Sequence, residues 1–283
     1  MSKSQTLDLS VVIPFKDKAA MTLDAVASLL KYGPEFKQIL LISNNSSSKE
    51  LVRVREYCRD HSNITVVEYN QPFNYQKMNN WGIQQTTSKF IMMMNNDVEL
   101  CDASKGLIER MCKKAEQSNV GVVGCTLLFG DEKTIQHAGV FLMPEGLADH
   151  MYITKRYTSA IKNAGSSDYP YDITKDLPMS AVTGALQVIE RKKFDEIHGM
   201  DEQFIICGGD VDLCLRMNQA GYQTWFLGGG YILHKESQSR KFIPIPYNDF
   251  YYSYLSYVKG FDIEVGDPFL PMITQKIKIY GYK

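Results

Sequence analysis

Three side chains in this 283-residue chain stand where chemistry would need them: Asp97, Asp210 and His234. Asp97 follows the apolar run F-I-M-M-M, within N-N-D-V-E, and a second acid, Glu99, comes two residues later. A carboxylate just past a buried strand can hold a divalent cation. Mg²⁺ or Mn²⁺ takes one or two protein carboxylates and fills its shell with substrate phosphate oxygens and water. Asp and Asn at such a point also form turns, so the segment needs partners elsewhere. Asp210 is one, in C-G-G-D-V-D-L-C-L-R from Cys207 to Arg216, where Gly208 and Gly209 lead into a helix that begins near Asp210. Asp210 at or near the N-cap would stabilise that helix, but capping alone does not require two glycines; they allow backbone and ligand to approach closely. Asp212 and Arg216, four residues apart, read instead as an ion pair across one helical turn. His234 closes the apolar strand Y-I-L-H and offers imidazole, an acceptable third ligand for an Mn²⁺-like ion.

The elements that position these residues follow from hydrophobic spacing. Leu9 to Ile13, a short β-branched run ended by Pro14, suits a buried parallel strand. Leu23, Val26, Ala27 and Leu30 recur at helical spacing, and Gly33-Pro34 is the stop. Ile39 to Ile42 is the next strand, and Ser47 and Glu50 have the spacing of a capping box opening a helix with Leu51, Val54 and Cys58 on one face. Strands follow at 64–67, 90–94, 120–127 and 185–189, then near 224–227 and 231–233. Helices are predicted at about 75–85, 103–116 and 210–220. This alternation implies an α/β fold, a Rossmann-like, mainly parallel sheet flanked by helices, with ligands beyond the carboxyl ends of the strands. The loops 15–18, 43–48 and 95–99 are therefore the places to search. Residues 144–178 lack periodicity and read as a long loop that orders over a ligand. The tail from Phe242 is rich in aromatics and reads as an appendage that packs or dimerises.

Composition excludes several classes. Lys+Arg 31 against Asp+Glu 32 leaves a net charge of −1, so no global field draws the chain to nucleic acid or an anionic membrane. The six cysteines contain no C-x-x-C pair and read as reduced core thiols of a cytosolic protein. The N-terminus lacks an apolar leader and no stretch has the apolar length of a membrane span, so a chain that is neither secreted nor transmembrane is expected. The first loop, P-F-K-D-K-A-A, carries neither G-x-G-x-x-G nor a P-loop, which disfavours a dinucleotide-binding protein or a nucleotidyltransferase.

Seven segments in order resemble the inverting glycosyltransferases of family 2 with the A-type (GT-A) fold, over residues 9 to 240. They are V-V-I-P-F-K-D, L-I-S-N-N-S-S, N-Q-P-F-N-Y-Q-K-M-N-N-W-G-I with M-M-M-N-N-D-V-E, T-I-Q-H-A-G-V, G-G-D-V-D-L-C-L-R-M-N-Q-A-G-Y and L-H-K-E-S. Several look like the subgroup that builds bacterial surface polysaccharides. The resemblance implies a glycosyltransferase domain at 1–240, with a nucleotide-binding half at about 1–100 and an acceptor-binding half at about 101–240, and a C-terminal extension at 241–283.

The resemblance also implies roles. Asp97 stands at the second acid of the family's D-x-D and would hold Mn²⁺ or Mg²⁺ with His234, while Asn95 replaces the first acid. Asp210 aligns with the catalytic base, with Gly209 where an acidic neighbour is usual. Ser43 replaces the customary Asp of the nucleotide loop, and Asn45 or Asp17 substitutes for it. Pro14, Phe15, Ser46, Lys77, Asn79 and Asn96 complete the donor side, and Gly184, Gly208 and Gly209 face a donor or acceptor sugar. The implied reaction moves a sugar from a UDP- or dTDP-linked donor to a hydroxyl of a glycan or lipid-linked glycan, with inversion. No nucleic acid takes part. A homodimer through the extension, a place within a larger multi-domain synthase, and cytoplasmic work at the inner membrane face are the associated expectations. The competing reading from another class is a non-catalytic sugar-nucleotide or glycan-binding module, in which Asn95 and Gly209 mark lost acids.

Overall fold

The structure, a computed structural model, describes residues 6–143, 147–235, 244–260 and 267–269. The first half alternates as the apolar spacing predicts: β1 (Leu7–Phe15), α1 (Ala19–Tyr32), β2 (Phe36–Ser43), α2 (Ser48–Cys58), β3 (Ile64–Glu68), α3 (Tyr75–Gln84), β4 (Phe90–Met94) and the two-residue β5 (Val98–Glu99). Then come α4 (Leu107–Ala115), β6 (Val120–Phe129), β7 (Ile135–His137), β8 (Val140–Met143), β9 (Leu147–His150), α5 (Tyr157–Lys162), β10 (Leu177–Met179), β11 (Leu186–Glu190) and α6 (Arg191–Glu196). The last elements are α7 (Gly209–Gln219), β12 (Gln223–His234) and α8 (Tyr247–Gly260).

One sheet runs in the order β10-β12-β6-β11-β4-β1-β2-β3, with β5 paired to β12 and β7 to β6. The pairs β1–β2, β2–β3, β1–β4 and β6–β12 are parallel. β11 enters antiparallel between β4 and β6. Both faces of the sheet are covered, which is why its strands are apolar throughout rather than alternating. Leu9, Val11 and Ile13 face one core with Val26, Leu29, Val54, Ile108 and Met111 of α1, α2 and α4. Val12, Leu40 and Ile42 face the other, with Met78, Ile83, Leu213 and Met217 of α3 and α7. Burying each such side chain is worth roughly 1.5–3 kcal/mol, and among the described residues no helix is long and apolar enough to cross a membrane.

Four expectations change. Ser47 is the N-cap of α2 but makes no side-chain capping bond; Glu50 Oε2 instead accepts the Ala19 N–H of α1 at 2.7 Å. The strands near 224–227 and 231–233 are one strand, β12, whose register with β6 shifts between Leu227 and Tyr231. Gly228 lies there because a Cβ would meet the Thr174 carbonyl carbon at 2.4 Å. The helix expected at 103–116 starts as a 3₁₀ turn at Asp102–Ser104 and resumes as α4 after Gly106 at φ 74°. Within 144–178, the described residues include β9, α5 and β10, and Tyr152 is buried beside Tyr171, ring centroids 4.8 Å apart. Local period alone misses these short elements.

Of the extension expected at 241–283, the described residues 244–260 carry α8, while 241–243, 261–266 and 270–283 lie outside the described residues. Tyr257 is buried, whereas Tyr247, Phe250, Tyr251 and Tyr254 are exposed on the helix.

Candidate active site

After β4 the chain turns through Asn95, Asn96 and Asp97 into β5. β5 pairs antiparallel with the end of β12, His234 opposite Val98 and Leu233 opposite Glu99. That pairing sets the imidazole of His234 against Asp97, with Nε2 3.1 Å from Oδ1. Asp97 keeps only 8% of its surface exposed and His234 6%. Lys235 N–H donates to the Asp97 carbonyl at 2.9 Å. Glu99 is paired with Lys235 Nζ at 2.6 Å, so the second acid of the segment has another partner. His234 Nδ1 is buried without a hydrogen-bond partner. One carboxylate and one imidazole in contact at a strand end suit an Mn²⁺- or Mg²⁺-like cation. Among the described residues no group of three or more His, Cys, Asp or Glu gathers to hold a metal, so a cation here would take its remaining ligands from phosphate oxygens or water.

The loops after β1 and β2 are tied to each other. Asp17, at φ 50°, donates its N–H to Ser46 Oγ at 2.9 Å, and its Oδ1 accepts the Ser47 N–H at 2.7 Å. Pro14 and Phe15 are buried in β1, and the Phe15 carbonyl accepts the Asn44 N–H at 2.8 Å. Ser43 is 1% exposed with its Oγ lacking a partner. Asn45, exposed and at φ 52°, reaches the Gln71 carbonyl at 3.1 Å. Of the two residues proposed to replace the nucleotide-loop acid, Asp17 spends one oxygen on this turn, while Asn45 stays exposed.

Asp210 is the second residue of α7, whose N-cap is Gly208 at φ 82°. Its Oδ1 accepts the Val211 N–H at 3.0 Å and its Oδ2 the Gly184 N–H at 2.7 Å. Carboxylates are stabilised in the first turn of a helix by the unpaired N–H groups there. A Cβ on Gly184 would meet Asp210 Cβ at 2.9 Å, so this contact needs glycine. Tyr75 joins the two ends of the site: its hydroxyl lies 2.9 Å from Asn95 Oδ1 and 3.1 Å from the Gly184 carbonyl. The Asp212–Arg216 pair forms as the spacing predicts, at 2.7 Å.

Gly209 has a physical explanation. A Cβ there would meet Gln76 Nε2 at 2.5 Å, and Gln76 is itself 1% exposed. The space an acidic side chain would enter is filled from α3. Lys77 is exposed on α3. Asn79 is fully buried, its Nδ2 donating to the Tyr75 carbonyl at 2.9 Å, so it supports Tyr75 from within the helix. Asn96 Nδ2 donates to Thr22 Oγ1 at 3.1 Å, toward α1.

Residue spacing alone assigned no role to Tyr75, Gln76 or His137. His137 ends β7, fully buried, with the N–H groups of Gly139 and Thr183 at 3.3 and 3.5 Å from Nε2. Burial above all, then the neighbouring His150 and His234, holds its pKa well below the ordinary histidine range. It is therefore a neutral imidazole facing the Gly139 and Thr183 amides, with the His150 ring 4.9 Å away between centroids. The signal for it was present as the His of T-I-Q-H-A-G-V, but one histidine in an apolar strand reads as a core residue.

The description "Glycosyl transferase family 2" matches residues 10–196, and "N-terminal domain of galactosyltransferase" matches residues 170–237. Both stop short of α8. The O-antigen biosynthesis protein RfbC of Myxococcus xanthus is 33% identical over 255 residues, covering 89% of this chain and 19% of that protein. The protein y4gI of Sinorhizobium fredii (strain NBRC 101917 / NGR234) is 30% identical, over 82% of this chain and 25% of its own length. The chain thus spans a quarter or less of the curated relatives it matches. Among solved structures, GalNAc-T7 with UDP, GalNAc and Mn²⁺ superposes with a TM-score of 0.61 at 17% identity, over 81% of this chain and 44% of that one. The mannosyltransferase PcManGT from Pyrobaculum calidifontis, in complex with GDP-Man and Mn²⁺, gives 0.58 at 10% identity, over 99% and 82%. S. aureus TarS 1-349 in complex with UDP-GlcNAc gives 0.58 at 12%, over 89% and 66%. These three likenesses concern the fold, which is the GT-A arrangement of a largely parallel sheet between helices. On the span and order of the matched residues, the chain belongs to glycosyl transferase family 2.

Proposed function

We propose that the chain transfers a sugar, with inversion, from a UDP- or dTDP-linked donor to a hydroxyl of a glycan or lipid-linked glycan in bacterial surface-polysaccharide synthesis. The observation that carries this reading is the contact of Asp97 with His234 at 3.1 Å, between residues 137 apart in the chain. Asn95, two residues before Asp97, starts a hydrogen-bonded path to Asp210: Asn95 to Tyr75, Tyr75 to Gly184, Gly184 to Asp210. The matching O-antigen biosynthesis protein supports the polysaccharide role, and the fold neighbours solved with GDP-Man and UDP-GlcNAc support a nucleotide-sugar donor.

In this reading Asp97 and His234 hold a divalent cation, which when bound supplies positive charge at the leaving diphosphate. The donor loops Phe15–Lys18 and Ser43–Ser48 hold the nucleoside. Asp210 takes the proton of the acceptor hydroxyl as its oxygen bonds to the anomeric carbon. The bond from that carbon to the diphosphate oxygen breaks on the opposite side, and the nucleoside diphosphate leaves with the electron pair. The Gly184 N–H orients one Asp210 oxygen and the Val211 N–H the other, whose second lone pair takes the proton.

The test is release of nucleoside diphosphate from a panel of UDP- and dTDP-sugars with Mn²⁺, with and without EDTA, on the chain and on Asp210→Asn. Release that needs Mn²⁺ and is lost in Asp210→Asn is expected. Absence of release from every donor, with UDP and dTDP still bound, would support the binding-module reading instead.

A further inference from the structure

We infer that α8, in the extension, is a working part of the catalytic site and that Asp249 is a positioning residue for Asp210. The inference rests on the assignment of Asp210 as the base. Asp249 lies in the first turn of α8 and is 1% exposed. A buried carboxylate is costly unless its oxygens are hydrogen-bonded. Here Oδ1 accepts the Ile205 N–H and Oδ2 accepts those of Ile206 and Cys207, each at 2.9 Å. These three amides belong to an irregular stretch with no ladder to satisfy them, directly before Gly208, Gly209 and Asp210. A side chain from 42 to 44 residues downstream thus gives that stretch its shape.

α8 touches α7 at two further points. A Cβ on Gly208 would meet Ser253 Oγ at 2.3 Å, so the helix passes against the N-cap of α7. Ser256 Oγ donates to Asp212 Oδ1 at 2.7 Å. Asp210 lies between the three points of attachment. From the other side, the Ile205 carbonyl accepts the Tyr75 N–H at 2.9 Å, which links the same stretch to the residue that bridges Asn95 and Gly184. Fixing the 205–207 amides therefore fixes where α7 begins and how its carboxylate meets the acceptor. Displacing a catalytic group by about 1 Å can lower a rate by about 10²-fold.

The experiment compares the full chain with Asp249→Asn, Ser256→Ala and Asp210→Asn. Asp249→Asn keeps the shape but turns an NH₂ toward an amide N–H. The readouts are kcat and donor KM for nucleoside diphosphate release, UDP and dTDP binding with Mn²⁺ by calorimetry, and thermal unfolding. Asp249→Asn is expected to lower kcat about tenfold while donor KM and nucleotide affinity stay within about twofold, the pattern of a displaced catalytic group. Ser256→Ala, which leaves the three amides bonded, is expected to lower kcat about threefold on the same scale and keeps the test alive should Asp249→Asn fail to fold. A folded Asp249→Asn with the parent kcat overturns the positioning role, and a Ser256→Ala at the parent rate, where Asp249→Asn does not fold, overturns the claim that α8 is a working part of the site. A loss of nucleotide affinity equal to the loss of rate overturns the positioning role too. If Asp210→Asn keeps the parent rate, the base assignment falls and this inference with it. If Asp210→Asn is inactive and folded Asp249→Asn is not impaired, only the inference falls.

Discussion

Gln76 on α3 occupies the space beside Gly209 on α7, its Nε2 2.5 Å from where a Cβ would stand. The two residues are therefore coupled: an acid at 209 requires Gln76 to move, and Gln76 is buried on all sides. Gly209→Glu alone is expected to destabilise the fold by about 1–3 kcal/mol, the usual cost of overpacking a filled site. Gln76→Gly with Gly209→Glu should recover much of that loss, because the new side chain then enters vacated space. Urea unfolding of the two single variants and the double closes the cycle. A double variant as unstable as the sum of the singles would refute the coupling.

Asp97 and His234 are predicted to bind a divalent cation only together with a nucleoside diphosphate, since two protein ligands leave most of its shell to phosphate and water. Calorimetric titration with UDP or dTDP should show affinity raised by Mn²⁺ in the parent chain and no Mn²⁺ effect in Asp97→Ala. Turnover in Asp97→Ala should fall by at least ~10²-fold, the scale on which charge stabilisation at a reacting centre operates. An undiminished Mn²⁺ effect in both Asp97→Ala and His234→Ala would remove the pair from the metal site.

For Asp210 the sharper substitution is Asn, which keeps the Gly184 contact sterically possible but cannot take a proton. Loss of general-base catalysis predicts a kcat lower by about 10²–10⁴-fold. Binding of UDP and dTDP should change little, because the donor loops lie on other strands. Near-parent turnover would end the base assignment.

What the sequence made legible was set by the range over which each signal acts. Strands β1, β2, β4 and β6 declare themselves because burial on both faces leaves a continuous apolar record, and helices α1 to α3 because one buried face recurs at helical spacing. The strand-end residues could then be found as the polar breaks after those runs. Ser47 and Glu50 show where this fails: the spacing of a capping box is present, yet Asp17 takes the Ser47 N–H and Glu50 takes that of Ala19. Both contacts come from about thirty residues away. Asp249 is the same case at longer range, a single acid within an aromatic helix whose meaning lies in three amides far upstream. His137 and Gln76 likewise matter through what packs on them.

Acid should find His137 first. Its folded pKa is held well below the ordinary value, chiefly by burial and further by His150 and His234, whereas the unfolded chain takes up that proton near pH 6.5. Below about pH 6.5 the unfolded state therefore binds more protons than the folded one, and stability declines as pH falls, by up to about 1.4 kcal/mol per pH unit for one such group. The carboxylates of Asp131 and Asp172, lowered in the fold by hydrogen bonds from Thr134 and Thr174, act in a separate window, losing their contribution only as pH falls below about 4. Urea unfolding of the metal-free chain at pH 7.5 and 5.5 spans the histidine window, and comparison with His137→Asn singles out this one. His137→Asn offers a carbonyl oxygen toward the Gly139 N–H without a site that titrates in this range. It should be less stable than the parent at pH 7.5 but lose about 1 kcal/mol less on moving to pH 5.5. Equal losses in the two chains would mean that His137 accepts a proton as readily in the fold as outside it, and the burial argument would be wrong.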